Sequence, residues 1–119
     1  MNKNMLVLAY LGDSIYETYI RKYLIDKGIC KVKELQSESI KYVSAKGQAI
    51  YLKEMMDNNF FTQEELNIIK CARNHKNNHK PKNCDIITYK HSTAFEALIG
   101  YLYLTKKFDR LKEILGLQA

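Results

Sequence analysis

Apolar residues recur along this chain at helical spacing, and nowhere do they alternate as a strand requires. Between Met5 and Leu24 one row runs through Leu8, Leu11, Ile15, Tyr19 and Tyr23, and a second through Tyr16, Ile20 and Leu24. The pattern predicts a long helix that Gly28 stops. "CKVKEL" reads as a turn with a short helix. "SESIKYVSAKGQAIYLKEMMDNN" predicts a second long helix, with Ser37 or Ser39 as caps and Ile40, Val43, Ile50 and Met55 on or near its apolar side. "FFTQEELNIIKCARN" opens with a capping box, Thr62 followed three residues later by Glu65, and Phe61 is the hydrophobic residue before the cap. Asn74 to Asn83, "NHKNNHKPKN", has no aliphatic residue and holds the sole proline, so it predicts a loop. A helix resumes around Asp85 to His91, followed by "STAFEALIGYLYL" and "KFDRLKEILGLQA". The expected architecture is all-α, about six helices in a single domain over residues 1–119, with a basic loop at about 74–84. No internal repeat or second domain interrupts it.

Composition narrows this picture. A chain of 119 residues, 46% hydrophobic and with one proline, can bury a core without disulfides or a metal staple. Nine Tyr against four Phe and no Trp leave hydroxyls that need partners or a surface. Nineteen Lys and Arg against thirteen Asp and Glu give a net charge of +6, which points to a polyanionic partner. No apolar run approaches the roughly 18 residues of a membrane span, so no membrane partner is expected. The start "MNKNMLVLAYLGD" lacks a signal-peptide cleavage site and runs into a charged amphipathic helix. Cys30, Cys71 and Cys84 have neither zinc-site nor redox-motif spacing, and reduced thiols of a cytoplasmic protein account for them.

One stretch resists the bland reading. In "LAYLGDSIYETYI" the pair Gly12-Asp13 interrupts an otherwise buried helical pattern. A Gly-Asp turn with an exposed acid would explain the pair alone, but the helical period continues on both sides. Gly12 then reads as a site of close helix approach, at a propensity cost of about 1 kcal/mol relative to Ala. Glu96 sits in a similar setting, surrounded helically by Phe95, Leu98, Ile99 and Leu102. Its rival explanation is a capping box with Thr93. Two packed helices carrying Asp13 and Glu96 at matching heights would bring the acids together, where each raises the other's pKa. A divalent cation removes that penalty, and magnesium favours hard carboxylate oxygens while keeping several waters. An acidic metal centre on a basic protein suits phosphodiester cleavage.

These segments carry a resemblance. "LAYLGDSIYETYIRKYL" resembles the ribonuclease III signature segment, and "STAFEALIGYLYL" resembles its second catalytic helix. The gap between them, the "VSAKGQA" stretch and the "RN…KPKN" loop resemble the small Mini-ribonuclease III branch of that family, a catalytic domain without a double-stranded-RNA-binding domain. The resemblance covers nearly the whole chain. It implies a ribonuclease III-like helical bundle and a homodimer that cleaves double-stranded RNA with Mg²⁺ or Mn²⁺, leaving a 5'-phosphate and a 3'-hydroxyl. It also implies a role in trimming 23S ribosomal RNA precursor ends. Carried over by position, Asp13 matches the signature aspartate and Glu96 the essential glutamate, as catalytic and metal-holding residues. Glu38 is a further metal candidate. Ala9 and Thr93 stand where the longer enzymes carry acids, which thins the acidic cluster. The signature helix belongs to the family's dimer interface, so Tyr10, Gly12, Tyr16 and Tyr19 are expected there.

Other residues keep two readings. Glu17 is either a supporting acid behind the metal site, as Thr93 would be, or an intrahelical partner of Arg21. Arg73, Lys76, Lys80 and Lys82 form a basic arm with no acid among them, suited to the backbone of A-form RNA. Lys41 and Lys46 extend that patch or form an ordinary solvated face. His75 and His79 with Cys71 or Cys84 match no zinc spacing. A chain this short should hold duplex weakly, so selectivity would draw on precursor shape or a ribosomal protein. The alternatives to an enzyme are a non-catalytic rRNA-binding or ribosome-assembly helical module, and a partner-binding dimer with degenerate catalytic residues.

Overall fold

The most apolar segment of the chain forms the hub of the molecule. In a computed structural model that describes residues 4–75 and 84–116, helix α5 spans Ile86–Leu104 and buries residues around its whole circumference, including Phe95, Ala97, Leu98, Ile99 and Leu102. A helix apolar on all sides must be enclosed, and four others enclose it: α1 (Met5–Asp26), α3 (Ala45–Asp57), α4 (Gln63–Arg73) and α6 (Phe108–Gly116). Helix α2 (Val32–Val43) packs on α1 and α3 instead. The described residues contain six helices and no strand, as the periodicity predicts.

Helix α1 runs unbroken through Gly12 and Asp13, so the Gly-Asp turn does not form. Asn4 caps its start by accepting from the Leu6 N–H at 2.7 Å, and Gly28 beyond its end takes φ 104°, a left-handed value that suits glycine. The two apolar rows have distinct jobs. Leu8, Gly12, Tyr16, Ile20 and Leu24 are buried, whereas Ile15, Tyr19 and Tyr23 pack only partly against the core. Gly12 sets this choice. A Cβ there would stand 1.8 Å from the Glu96 carbonyl oxygen, and a Cβ on Gly100 would stand 2.1 Å from that of Leu8. Two glycines therefore interlock an antiparallel crossing of α1 and α5, backbone on backbone.

The predicted second long helix is in fact two. Ser44 is extended (φ −65°, ψ 159°), closing α2 and capping α3 by accepting from the Gly47 N–H at 3.1 Å. Ser37 and Ser39 lie inside α2, which takes in most of "CKVKEL" as well. The corner is tight, for a Cβ on Gly47 would lie 2.2 Å from the Lys41 carbonyl oxygen. Met55 is buried while Ile40 on α2 and Ile50 on α3 are exposed, so these residues do not share one apolar face.

The capping box at α4 forms in full between Thr62 and Glu65. Glu65 is buried and accepts from Arg110 Nε at 2.7 Å, while Arg110 also donates to the Phe60 carbonyl at 2.6 Å. That fork ties α6 to the start of α4. Tyr51 Oη likewise donates to the Ile114 carbonyl, joining α3 to α6. All three cysteines are free, and among the described residues no helix is long and apolar enough to cross a membrane.

Candidate active site

The glycine-locked crossing determines where the two acids go. Gly12 packs on the backbone of Glu96, and Asp13 follows Gly12 directly, so the crossing that joins the helices also sets the carboxylates side by side. Asp13 is exposed at the rim, and Glu96 is half-buried beneath it. Glu96 lies in mid-helix, far from the α5 N-cap at Asp85, which removes the capping explanation for it. Burial, the charge of Asp13 and a hydrogen bond with Asp13 push the Glu96 carboxyl up to about 8, against the pull of a hydrogen bond from Gln48. Two acids so placed share a proton or share a cation.

The pair opens into a cleft of about 390 Å³, lined also by Leu6, Ala9, Tyr10, Tyr89 and Thr93. The donor set suits a hard divalent cation: two carboxylates in contact, one unable to ionise easily alone, with room beside them for waters. Asp13 and Glu96 are the residues that would hold it. Ala9 and Thr93, the positions at which the resemblance implies acids in longer enzymes, both line this cleft. Thr93 Oγ1 is already committed to the Tyr89 carbonyl at 2.9 Å.

Several expected site residues lie elsewhere. Glu38 does not join the acids: it pairs with Lys41 at 3.1 Å on α2, and among the described residues no group of three His, Cys, Asp or Glu is placed to hold a metal. Glu17 pairs with Arg21 at 2.7 Å, four residues along the same helix, and is absent from the cleft walls. Gly12 and Tyr16 are not available to a dimer interface. Gly12 is buried against α5, and Tyr16 is fully buried with its ring 4.9 Å from Phe95 in an edge-on contact. Of the other two, Tyr10 is 84% exposed and Tyr19 half-buried.

The described basic residues sit on different helices. Arg73 ends α4, half-buried, and Lys46 is exposed on the first turn of α3 beside a separate apolar cavity of about 460 Å³. Lys76, Lys80, Lys82 and His79 lie outside the described residues.

Gln48 is the site residue that sequence reasoning missed. It is 1% exposed, and its Nε2 donates to Glu96 Oε2 and to the Val43 carbonyl, both at 3.2 Å. A polar residue turned inward leaves no mark in apolar periodicity. The one available signal was its place just after the cap and glycine of "VSAKGQA".

Comparison with known proteins places this geometry in a family. The ribonuclease III domain model matches residues 6–107. A Mini-ribonuclease 3 from Brevibacillus brevis is 50% identical over 111 residues, covering 93% of this chain and 81% of that protein. One from Staphylococcus aureus is 46% identical over 113 residues, covering 95% and 84%. A crystal structure of a Fusobacterium nucleatum protein superposes with a TM-score of 0.86 at 35% identity, covering 98% of this chain and 91% of that one. The chain belongs to the ribonuclease III domain family, a family of RNA endonucleases.

Proposed function

We propose that this protein is a metal-dependent endoribonuclease that hydrolyses double-stranded RNA at the Asp13–Glu96 cleft. The observation carrying this reading is the contact between the two acids, with Glu96 held up to about 8 in a cleft open to substrate. Asp13 and Glu96 would hold Mg²⁺, for which Mn²⁺ could substitute. When bound, the cation contributes polarisation of the scissile phosphate and activation of the attacking water. The residues of the chain do the rest. Gln48 holds Glu96 from behind, Ala9 and Thr93 form a neutral wall, and exposed Tyr10 stands at the mouth.

The net charge of +6 supports a duplex held mainly through its phosphates. As the task we take maturation of 23S ribosomal RNA precursor ends in the cytoplasm, which the resemblance to the small branch of the family implies. We take the active form to be a homodimer that presents one centre to each strand, with exposed Val7 and Tyr10 of α1 available for the contact.

The test is incubation of the purified protein with a labelled RNA duplex and, separately, with each single strand, in Mg²⁺, Mn²⁺ or EDTA. Cutting of the duplex alone, with either metal and never with EDTA, leaving 5'-phosphate ends, is the expected result. A folded protein that binds duplex or rRNA precursor but cuts neither would instead be an rRNA-binding module.

A further inference from the structure

We propose that Gln48 is a positioning residue of the carboxylate pair, its buried amide fixing the Glu96 side chain toward Asp13 and tying it to the α2–α3 corner. The inference rests on the reading of Asp13 and Glu96 as metal-holding acids. An amide is costly to bury unless its polar atoms are paired; among the described residues Oε1 has no partner, but Nε2 uses both its hydrogens, one on Glu96 Oε2 and one on the Val43 carbonyl. The first of these crosses 48 positions of sequence to reach α5, whereas the second is local. A role confined to closing the corner would need only the local bond.

The backbone beneath Gln48 is itself held. Ser44 caps α3 one turn earlier, and Gly47 lets that turn sit directly on the last turn of α2, where a Cβ would be 2.2 Å from the Lys41 carbonyl oxygen. With the Gln48 backbone fixed and Oε2 committed to its amide, the Glu96 carboxylate is restrained from rotating away from its partner. Metal-holding carboxylates supported in this way lose roughly tenfold to a hundredfold in metal affinity when the supporting group is removed.

Mn²⁺ binding to the whole protein without RNA, followed by calorimetry, tests this. Gln48→Leu and Gln48→Met remove the amide, the second keeping an unbranched chain, while Glu96→Gln marks the site and thermal melts report the fold. The wild type should bind Mn²⁺ and Glu96→Gln should not. Each folded Gln48 variant should bind about tenfold or more weakly. The Mg²⁺ needed for half-maximal cleavage should rise by a similar factor, with the rate at saturating Mg²⁺ little changed. A structural defect alone would lower that rate at every metal concentration. Unchanged Mn²⁺ affinity in a folded Gln48 variant would overturn the inference and leave the metal site standing. A wild type no different from Glu96→Gln would overturn the site and the inference together. Should neither variant fold, a crystal structure of the wild type with Mn²⁺ decides: the Gln48–Glu96 bond kept supports the inference, and Glu96 turned away overturns it.

Discussion

Glu96 is an acid that the metal-free protein resists ionising. Its carboxyl is pushed from the ordinary 4.5 up to about 8, chiefly by burial and then by Asp13. A raised value means that the folded state holds the proton more tightly than the unfolded chain. The stability this provides is complete below about pH 4.5 and lost as pH climbs through about 8. The melting temperature of the metal-free wild type should therefore fall from about pH 5 to pH 8 relative to Glu96→Gln, which has no such proton. Parallel curves for the two proteins would contradict the placement of Glu96. Binding of Mg²⁺ at neutral pH should release about one proton, measurable as a buffer-dependent heat. Both acids were legible in the sequence because each breaks an apolar helical pattern. Gln48 was not, because one buried amide among polar neighbours breaks nothing. Glu38 pairs with Lys41 instead of joining the acids, and of the two readings left for Glu17 the pair with Arg21 is the one that forms.

Among the helices, the crossing of α1 and α5 carries the most specific expectation. Gly12→Ala would gain up to about 1 kcal/mol of helix propensity. Against that, its Cβ would meet the Glu96 carbonyl oxygen at 1.8 Å, a backbone atom that cannot rotate aside. Overpacking of this kind costs about 3 kcal/mol, so the clash wins. Urea denaturation should show a net loss of about 2 kcal/mol with unchanged cooperativity, and wild-type stability would refute the crossing. The link between α4 and α6 behaves oppositely in pH. Burial works to raise Glu65, but Arg110 and the Thr62 N–H outweigh it and hold the carboxyl below its ordinary value. That stability is present above about pH 4.5 and disappears as pH falls through the lowered value. Arg110→Ala leaves a nearly buried charge unpaired and should cost about 3 kcal/mol near neutral pH, less in acid. A penalty independent of pH would contradict the ion pair. Helix number and most boundaries were legible from periodicity and caps. The division at Ser44 was not, because "YVSAKGQAI" keeps helical spacing across it. What divides it is a serine that can cap as well as continue, next to a glycine whose tertiary contact no local pattern reveals.

For the molecule as a whole, the surplus of positive charge and the open acidic cleft pull in one direction. Phosphates attracted to the surface would meet a cleft in which the fold sets two carboxylates in contact. Duplex affinity should fall by at least about tenfold between about 50 and 200 mM salt, and salt-insensitive binding would contradict a phosphate-led interface. The proposed dimer is a matter of surfaces: Tyr16 stands in the apolar row of Ile20 and Leu24 and fills the core, whereas Tyr10 lies in neither row and faces outward. The most direct test is the cleavage rate of one labelled RNA duplex at saturating Mg²⁺ by the wild type, Asp13→Asn and Glu96→Gln, with duplex binding measured alongside. Both variants should bind as the wild type does and cut at background level. Wild-type cutting by either variant would contradict the assignment of this carboxylate pair as the centre of the enzyme.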